Sequence, residues 1–433
     1  MRISERLAVF AAATVPGDAA RAMMRLSVLD WMACALAGRD EPVARLARDL
    51  VLEERGAPQA ALAGSATRVP ARAAALANGV ASHALDYDDT HFAHIGHPSV
   101  AVIPAALALA EKTGADGAAF LDAALIGVEA SIRVGVWLGR GHYQTGFHQT
   151  GTAGAFGAAL AGARLLDADG EQALGLVSTR ASGLKSQFGT MGKPFNAGIA
   201  AANGVEAALL AARGFVSNPE GLEAPQGFGE THAGAADDCA LKGLGERWLF
   251  ETVSHKFHAC CHGTHAMIEA LRSLMPLDPD AVTGITVITH PRWLKVCHQP
   301  APTTGLGAKF SYRVIAAMVL AGYDTASLTT FNDDACNEPA LIALRDNVTV
   351  ESDETVPETA TRVVVETAQG PREAVHDLDK PMPLELRAEK LNFKARSLLG
   401  EALAVRLRAV IEAPDGPNPA ALGKLLSVQD AMS

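Results

Sequence analysis

Hydrophobic and small residues recur at helical spacing through the first half of the chain. From the start to about residue 215 one such run follows another, and the joints are short and contain Gly or Asp. Apolar positions three and four residues apart are typical of helices that bury one face, and Gly after the last apolar position is a helix stop. The pattern predicts helices over seven runs, which are 19–38, 43–56, 70–89, 97–114, 117–139, 151–167 and 195–214.

The pattern changes after about residue 280. Apolar and polar residues alternate there, with β-branched side chains enriched, which indicates strands. The strands are predicted at 284–290, 347–352, 361–370 and 371–378, with Gln369-Gly370 as a hairpin turn, and helices at 309–321, 338–345 and 384–412. The sequence thus predicts a mostly α protein: a large all-helical domain (1–268, with 395–433 packing back onto it) and a smaller α+β domain (269–394).

Composition narrows the class of protein. The 433 residues exceed one hydrophobic core, which stops growing near about 250–300 residues. A net charge of −11 argues against a nucleic-acid partner, because phosphate binding needs a positive surface. No apolar run reaches the roughly 18 residues of a membrane span, so no membrane partner is expected. The six cysteines are scattered, which is typical of reduced thiols in the cytoplasm.

Titratable residues crowd the connection between the runs 70–89 and 97–114. Asp86, Asp88 and Asp89 precede His91, His94 and His97. Such a connection can direct several acid/base groups into one cleft, although carboxylates and hydroxyls here are also plausible helix caps. We interpret the cluster as functional.

Two further segments offer groups that bind carboxylates. His148 lies just before the Gly/Thr-rich start of a helix, where exposed amides favour anions, and Gly151 and Gly154 equally favour close helix packing. Lys193 lies in a Gly-rich turn, 189–194, which lacks the spacing of a phosphate-binding loop. We interpret Lys193 as a carboxylate anchor.

Segment 255–265 is rich in histidine and cysteine, and so resembles a zinc site in ligand type. The spacing does not support one, because Cys260 and Cys261 are adjacent and no pair is separated by two residues. The triplet His91, His94 and His97 is similarly incomplete. We therefore expect no metal, and keep a metal-dependent hydrolase as an alternative.

Five segments in this order resemble the MmgE/PrpD family, from roughly residue 5 to 400. They read DYDDTH…HPS, GFHQTGTAGAFGAA, GTMGKPFNAG, KFHACCHGTHA and AKFSY. The family includes 2-methylcitrate dehydratase, cis-aconitate decarboxylase and iminodisuccinate epimerase. The resemblance implies an all-helical domain, a smaller α+β lid domain with the active site in the cleft between them, a homodimer, and no metal or organic cofactor.

The resemblance also assigns roles to residues. It implies catalytic residues at Asp86, His97, His148, Lys193 and Lys256. Substrate contacts are expected from Thr90, Tyr143, Gln149, His258 and Arg313. The chain departs from the family pattern at 256–259 and after Ser311, and these departures weaken decarboxylation as the reaction.

The sequence therefore predicts an enzyme that acts on a small di- or tricarboxylate. Its leading reaction is dehydration of an acid such as 2-methylcitrate, by proton abstraction next to a carboxylate. We expect His97 and His148 to carry protons, with Asp86 orienting one of them and the two lysines holding carboxylates. The alternative is an epimerase or isomerase of iminodisuccinate or a related dicarboxylate, with Tyr143 as a second proton-transfer group. A further alternative is that the chain is a non-catalytic helical protein that binds partners.

Overall fold

A computed structural model describes residues 2–427, and these form two compact units. Unit 1 comprises residues 2–255 together with 399–427, and unit 2 comprises 256–398. The boundaries therefore fall at 255/256 and 398/399, whereas the sequence placed them at 268 and 394. Residues 428–433 of the predicted C-terminal segment lie outside the described part of the chain.

Helices dominate the chain. In unit 1 they begin with α1 (Ile3–Ala13), α2 (Asp18–Gly38), α3 (Pro42–Glu53), α4 (Ala71–His83), α5 (Ser99–Thr113), α6 (Gly117–Thr145), α7 (Gln149–Leu166), α8 (Gly170–Ser178), α9 (Gly192–Ala211) and α10 (Phe228–Thr231). Unit 2 contains α11 (His265–Ser273), α12 (Pro291–Leu294), α13 (Gly305–Ala308), α14 (Tyr312–Leu320), α15 (Asp333–Asn337), α16 (Pro339–Asp346) and α17 (Leu384–Leu399, whose last residue belongs to unit 1). Unit 1 ends with α18 (Glu401–Ile411) and α19 (Pro419–Leu426).

Small residues set the spacing of the helices in unit 1. A Cβ atom at Gly157 on α7 would lie 2.3 Å from the carbonyl oxygen of Gly127 on α6. A Cβ atom at Gly79 on α4 would lie 2.9 Å from the Cα of Gly198 on α9. Helices α5 and α7 are buried along most of their length, which explains why they are apolar on all faces. The abundant Ala and Gly therefore allow close backbone packing at the centre of unit 1.

One element of unit 1 contradicts the all-helical prediction. Strands β1 (Ala60–Leu62) and β2 (Ser65–Val69) form a short antiparallel hairpin after α3. Its turn holds Gly64 at φ +75°, a conformation that glycine adopts without steric cost. The prediction missed the hairpin because three- and five-residue strands carry little alternation.

Unit 2 contains a four-stranded mixed sheet. Its strands are β3 (Val282–Thr289), β4 (Val348–Ser352), β5 (Ala360–Thr367) and β6 (Gly370–Asp377), in the spatial order β4-β3-β5-β6. Strand β3 is parallel to β4 and antiparallel to β5, and β5 is antiparallel to β6. The strand predictions were correct to within a few residues.

The structure corrects three predictions of where a turn or a helix begins or ends. Thr367 pairs with Gly370, so the hairpin loop is Ala368-Gln369 and not Gln369-Gly370. The predicted helix at 309–321 begins only at Tyr312, because the Ser311 side chain accepts a hydrogen bond from the backbone of Val314 and caps α14. The predicted helix at 384–412 is two helices, separated by Gly400 at φ +75°.

Candidate functional site

The segment after α4 carries the candidate acid/base groups of unit 1. Helix α4 ends at His83, and the chain then turns through Asp86, which adopts φ +51°. A left-handed conformation at a non-glycine residue is uncommon and marks a position worth examining for function. The turn carries Asp86 and Asp88 past the end of α4 and on to His97, two residues before α5.

Asp88 lies between two imidazole rings. Its Oδ1 is 2.8 Å from His83 Nδ1 and its Oδ2 is 2.9 Å from His97 Nδ1. Burial by itself would raise the pKa of Asp88, but the charges of His83 and His97 and the hydrogen bond with His83 outweigh it and hold that pKa well below its usual range. Asp88 is therefore an ionised, buried carboxylate at neutral pH.

Asp86 forms the accessible edge of the cluster. Its Oδ2 is 2.6 Å from Lys193 Nζ, and its Oδ1 is 3.4 Å from His97 Nε2. The Asp86 side chain is 50% exposed, against 16% for Lys193 and 10% for His97. The exposed fraction of the side chains therefore falls from Asp86 through Lys193 to His97.

His148 comes from the start of α7, where it is the residue before the first helical turn. Its Nδ1 is 3.1 Å from Asn196 Nδ2, which also donates to the carbonyl oxygen of Leu184. A carbonyl oxygen can only accept, so this nitrogen is the amide donor and His148 Nδ1 is an acceptor. In its neutral form His148 consequently carries its proton on Nε2.

Burial lowers the pKa of His148 well below its usual range, and the charges of His83, Lys193 and His97 lower it further. The sequence led us to expect a near-neutral proton carrier at this position. The structure instead gives a neutral imidazole with an N–H donor at Nε2.

A second network lies beside the site and fixes the segment that carries His97. Asp89 accepts hydrogen bonds from the Ser27 hydroxyl at 3.0 Å and from the Ser99 hydroxyl at 2.5 Å. Burial raises the pKa of Asp89 to about 7, with Asp30 contributing in the same direction. The backbone N–H of His97 also donates to the Thr150 hydroxyl at 2.9 Å, which ties the segment to α7.

His91 and His94 lie apart from the cluster that contains His97. His91 is buried, with Nε2 at 2.9 Å from both the Leu249 carbonyl oxygen and the Thr252 hydroxyl. Burial lowers its pKa to about 4. His94 is fully buried where a Cβ atom on Gly135 would lie 2.0 Å from its Nδ1. Both rings belong to the interior of unit 1.

Three further predicted residues of unit 1 have contacts of their own. Thr90 forms a backbone bridge with Ser254. The Tyr143 ring packs 3.8 Å from Lys185 Nζ. Gln149 is fully buried and donates its side-chain amide to the carbonyl oxygen of Gly135 at 3.0 Å, so its amide nitrogen supports the packing of α7 on α6.

The remaining predicted residues belong to unit 2. Lys256 and His258 are buried there. His258 uses both nitrogens, with Nδ1 at 2.8 Å from the Thr325 hydroxyl and Nε2 at 3.0 Å from Glu269. Arg313 lies 3.4 Å from Asp346. These contacts of His258 lie within unit 2 and support its packing.

Sequence reasoning missed two residues of the cluster, His83 and Asn196, and left Asp88 as either a helix cap or a functional group. His83 falls in a helical run and Asn196 follows the Lys193 turn, so neither stands out as a motif. A signal for Asp88 exists, since it is two residues from Asp86, but nothing in the pattern shows that it contacts two histidines.

One set of side chains has the composition of a metal site. His83, Asp86, Asp88 and His97 each offer a ligand atom, and these atoms lie within 4.8 Å of one another. The same groups already form ion pairs, with Lys193 against Asp86 and both imidazoles against Asp88. We therefore treat them as acid/base groups, and elemental analysis as the test of a metal.

Comparison with known families gives two matches that cover most of the chain. Residues 5–238 match the MmgE/PrpD N-terminal domain, and residues 258–413 match the MmgE/PrpD C-terminal domain. Among the helices that the structure describes, we find none long and apolar enough to cross a membrane.

Curated relatives are similar over much of the chain. A cis-aconitate decarboxylase-like protein, oryM, from Aspergillus oryzae is 29% identical over 403 residues, which cover 84% of this chain and 82% of the relative. The cis-aconitate decarboxylase of Aspergillus terreus is 26% identical over 416 residues, which cover 86% of this chain and 84% of the relative. The human cis-aconitate decarboxylase is 29% identical over 303 residues, which cover 66% of this chain and 62% of the relative.

Proposed function

The chain belongs to the MmgE/PrpD family, and from that premise we propose that it is a lyase that acts on a small polycarboxylic acid without a cofactor. The observation that carries the proposal is the contact of Lys193, Asp86 and His97 at the accessible edge of unit 1. Lys193 and His97 both contact Asp86, so a cation and a proton acceptor are neighbours of one side chain, and removal of a proton next to a carboxylate requires both groups.

Lys193 would hold a substrate carboxylate. Its ammonium is paired with Asp86, a half-exposed side chain, and such a partner is readily exchanged for a carboxylate of the substrate. Charge that develops on the substrate as the proton leaves is then stabilised by a cation that is already in place, and fixed charges of this kind lower the barrier.

The two histidines have different parts in the proposed reaction. His97 would accept the proton at Nε2, the atom that lies on the side of Asp86. His148 is neutral and donates at Nε2, so it would hydrogen-bond to the carboxylate oxygen on which negative charge develops. A neutral imidazole held by a lowered pKa can serve as such a donor.

We place dehydration of a hydroxy-tricarboxylate such as 2-methylcitrate first. A second candidate is decarboxylation, because the curated relatives described above are named as cis-aconitate decarboxylases or as decarboxylase-like. Both reactions pass through negative charge next to a carboxylate, so the same lysine serves either. Epimerisation of iminodisuccinate or a related dicarboxylate uses the same first step and is the alternative from a different class.

Proton NMR in D2O separates these reactions, with methylcitrate, citrate, cis-aconitate and iminodisuccinate supplied in turn. Dehydration of citrate produces a new vinyl signal, and loss of the α-proton and hydroxyl from methylcitrate turns its methyl doublet into the singlet of a methyl group on an alkene carbon. Decarboxylation of cis-aconitate produces a dicarboxylate and carbon dioxide, and epimerisation produces deuterium at the α-carbon with no elimination.

The Lys193→Met variant should lose the activity found, and Lys242→Met, at an exposed lysine, should keep it. Lys256→Met tests whether unit 2 takes part. No conversion of any of the four acids by the wild-type enzyme would contradict the proposal. Stoichiometric zinc or iron in active enzyme would favour the hydrolase alternative.

A further inference from the structure

One aromatic ring lies beside both of the groups that would bind the substrate carboxylate. The Phe188 ring meets the His148 ring edge to face, with centroids 4.9 Å apart and an interplanar angle of 84°. Lys193 Nζ lies 5.6 Å from the centroid of the same phenylalanine ring. Phe188 is therefore a common neighbour of His148 and Lys193.

Hydrogen bonds fix the turn that joins Phe188 to Lys193. The backbone N–H of Thr190 donates to the carbonyl oxygen of Gln187 at 3.1 Å, and that of Lys193 donates to the carbonyl oxygen of Thr190 at 3.2 Å. The Thr190 hydroxyl also donates to the carbonyl oxygen of Gln187 at 2.8 Å and accepts a hydrogen bond from the backbone of Gly192 at 3.0 Å. The aromatic ring and the ammonium group are thus connected by a short, internally bonded turn.

Phe188 keeps part of its ring in contact with water. It is 38% exposed, whereas His148 is 2% exposed. Contact of apolar area with water is unfavourable, and sites for small molecules combine apolar and aromatic walls with a few placed polar groups. The exposed part of Phe188 therefore offers an apolar surface next to the position proposed for the substrate carboxylate.

The chemistry of the proposed reaction specifies which part of a substrate would meet that surface. The carbon that loses its proton carries the carboxylate that Lys193 would bind. In 2-methylcitrate this carbon also carries a methyl group, and in citrate it carries a second hydrogen atom instead. Because the phenylalanine ring neighbours the lysine, a substituent on this carbon can pack against the ring.

We propose that Phe188 is a specificity-determining residue, whose ring binds an alkyl substituent on the carbon that loses its proton. The enzyme then prefers alkyl-substituted polycarboxylates such as 2-methylcitrate to unsubstituted ones such as citrate. The inference rests on the proposed function for the reaction, whereas the same preference is measurable in binding alone.

The test compares kcat/KM for 2-methylcitrate with kcat/KM for citrate. One carbon more or less in an apolar site changes kcat/KM about 10- to 200-fold. Since Phe188 is only partly buried, we expect a wild-type preference for methylcitrate at the lower end, about tenfold. Phe188→Ala should abolish this preference through loss of activity on methylcitrate and not on citrate. Phe188→Leu, which keeps a large apolar side chain, should retain most of it.

Phe195→Ala is the matched control. Phe195 is 40% exposed and lies on the same segment of chain, but within the part that the structure describes its ring contacts neither His148 nor Lys193. The substitution should leave the ratio of the two kcat/KM values as in the wild type.

Two kinetic outcomes would overturn the proposal. The first is a wild-type enzyme that uses citrate as well as methylcitrate or better. The second is a Phe188→Ala enzyme that loses activity equally on both acids, since the ring would then act only by shielding His148 from water.

If the wild type turns over neither acid, titration calorimetry measures the preference as a ratio of the two Kd values. A tighter Kd for methylcitrate that Phe188→Ala abolishes would support the role of Phe188 while the proposed reaction fails. Equal Kd values for the two acids, or no binding of either, would overturn the proposal.

Discussion

At the scale of the residue, the cluster works through unequal environments for similar groups. Asp88 and Asp89 are adjacent and both buried, yet the pKa of Asp88 is lowered and that of Asp89 is raised to about 7. Asp88 has two imidazoles beside it, whereas Asp89 has hydroxyl groups and another carboxylate, Asp30. Neighbours therefore decide which carboxylate is ionised, and the sequence does not reveal those neighbours.

His97 is the residue on which we expect the reaction to depend most. His97→Gln removes the proton acceptor and leaves Lys193 to bind substrate, so kcat should fall about 10²- to 10⁴-fold while KM changes little. Steady-state kinetics on the acid identified by NMR measures this. His298→Gln, at an exposed histidine of unit 2, is the control. A kcat within threefold of wild type would exclude His97 as the base.

The sequence supplied the candidates at this scale but not their contacts. Asp86, His97, His148 and Lys193 were chosen by residue type and by resemblance to the family, and the structure brings them into one cluster. His91 and His94 were indistinguishable from His97 by pattern, since all three recur at intervals of three. Only burial and hydrogen bonds separate the two interior rings from the one at the edge.

At the scale of the element, glycines determine how closely the helices of unit 1 approach. Gly157→Ala places a methyl group against the backbone oxygen of Gly127, which cannot rotate away. We expect a loss of about 1–3 kcal/mol in the free energy of unfolding, measured by chemical denaturation.

Gly141→Ala is the matched control on α6, because its nearest neighbour would be 3.7 Å away. It should be neutral or stabilising, since alanine is the better helix former. Equal effects of the two substitutions would mean that the close approach of α6 and α7 contributes little.

A buried ion pair attaches segment 240–250 to α6. Glu129 and Arg133 are fully buried and 2.6 Å apart, and Glu129 also accepts hydrogen bonds from the backbone of Leu249 and Phe250. Glu129→Gln leaves a buried guanidinium without its counter-charge, which typically costs about 3–5 kcal/mol.

The control is Glu412→Gln, in the exposed pair with Arg408, where a loss below about 1 kcal/mol is expected. Chemical denaturation followed by circular dichroism compares the two. A Glu129→Gln protein as stable as wild type would show that the pair is dispensable.

Periodicity predicted the long elements well and the short ones poorly. The long apolar runs became helices, and the alternating runs became strands β3 to β6. The hairpin of β1 and β2 was missed, and the start of α14 was misplaced because a capping hydrogen bond from one serine outweighs the apolar pattern around it. Such local contacts decide where elements begin and end.

At the scale of the whole molecule, acid should destabilise the protein. The pKa values of His91 and His258 are about 4 when folded, lowered by burial from 6.5. The unfolded chain therefore binds more protons between pH 6.5 and 4, and stability is lost as the pH falls through that window. Across this window each of these two histidines lowers the free energy of unfolding by about 3 kcal/mol.

Asp89 acts in the opposite direction, because its raised pKa makes the folded state the better proton binder between pH 4 and 7. In Asp89→Asn the fall in melting temperature from pH 7 to 4 should therefore be steeper than in wild type. Differential scanning calorimetry across this range measures both slopes. A wild-type melting temperature that is constant or rises towards pH 4 would contradict the account.

Family membership followed from an ordered set of short motifs, each weak by itself, and two family models that cover most of the chain confirm it. The reaction could not be predicted in the same way. Dehydration, decarboxylation and epimerisation share one charged intermediate, so the residues that stabilise it do not distinguish them. Net charge does not exclude an anion site either, since the proposed site of a chain of charge −11 needs only a local cation such as Lys193.

The central claim is that the cluster around Lys193 and His97 binds a small polycarboxylate. A crystal structure with tricarballylate, which lacks a hydroxyl group to eliminate, tests it most directly. We expect a ligand carboxylate on Lys193 Nζ in place of Asp86, with the adjacent carbon facing His97 Nε2. Saturating ligand bound elsewhere, with the Lys193–Asp86 pair intact, would contradict the account.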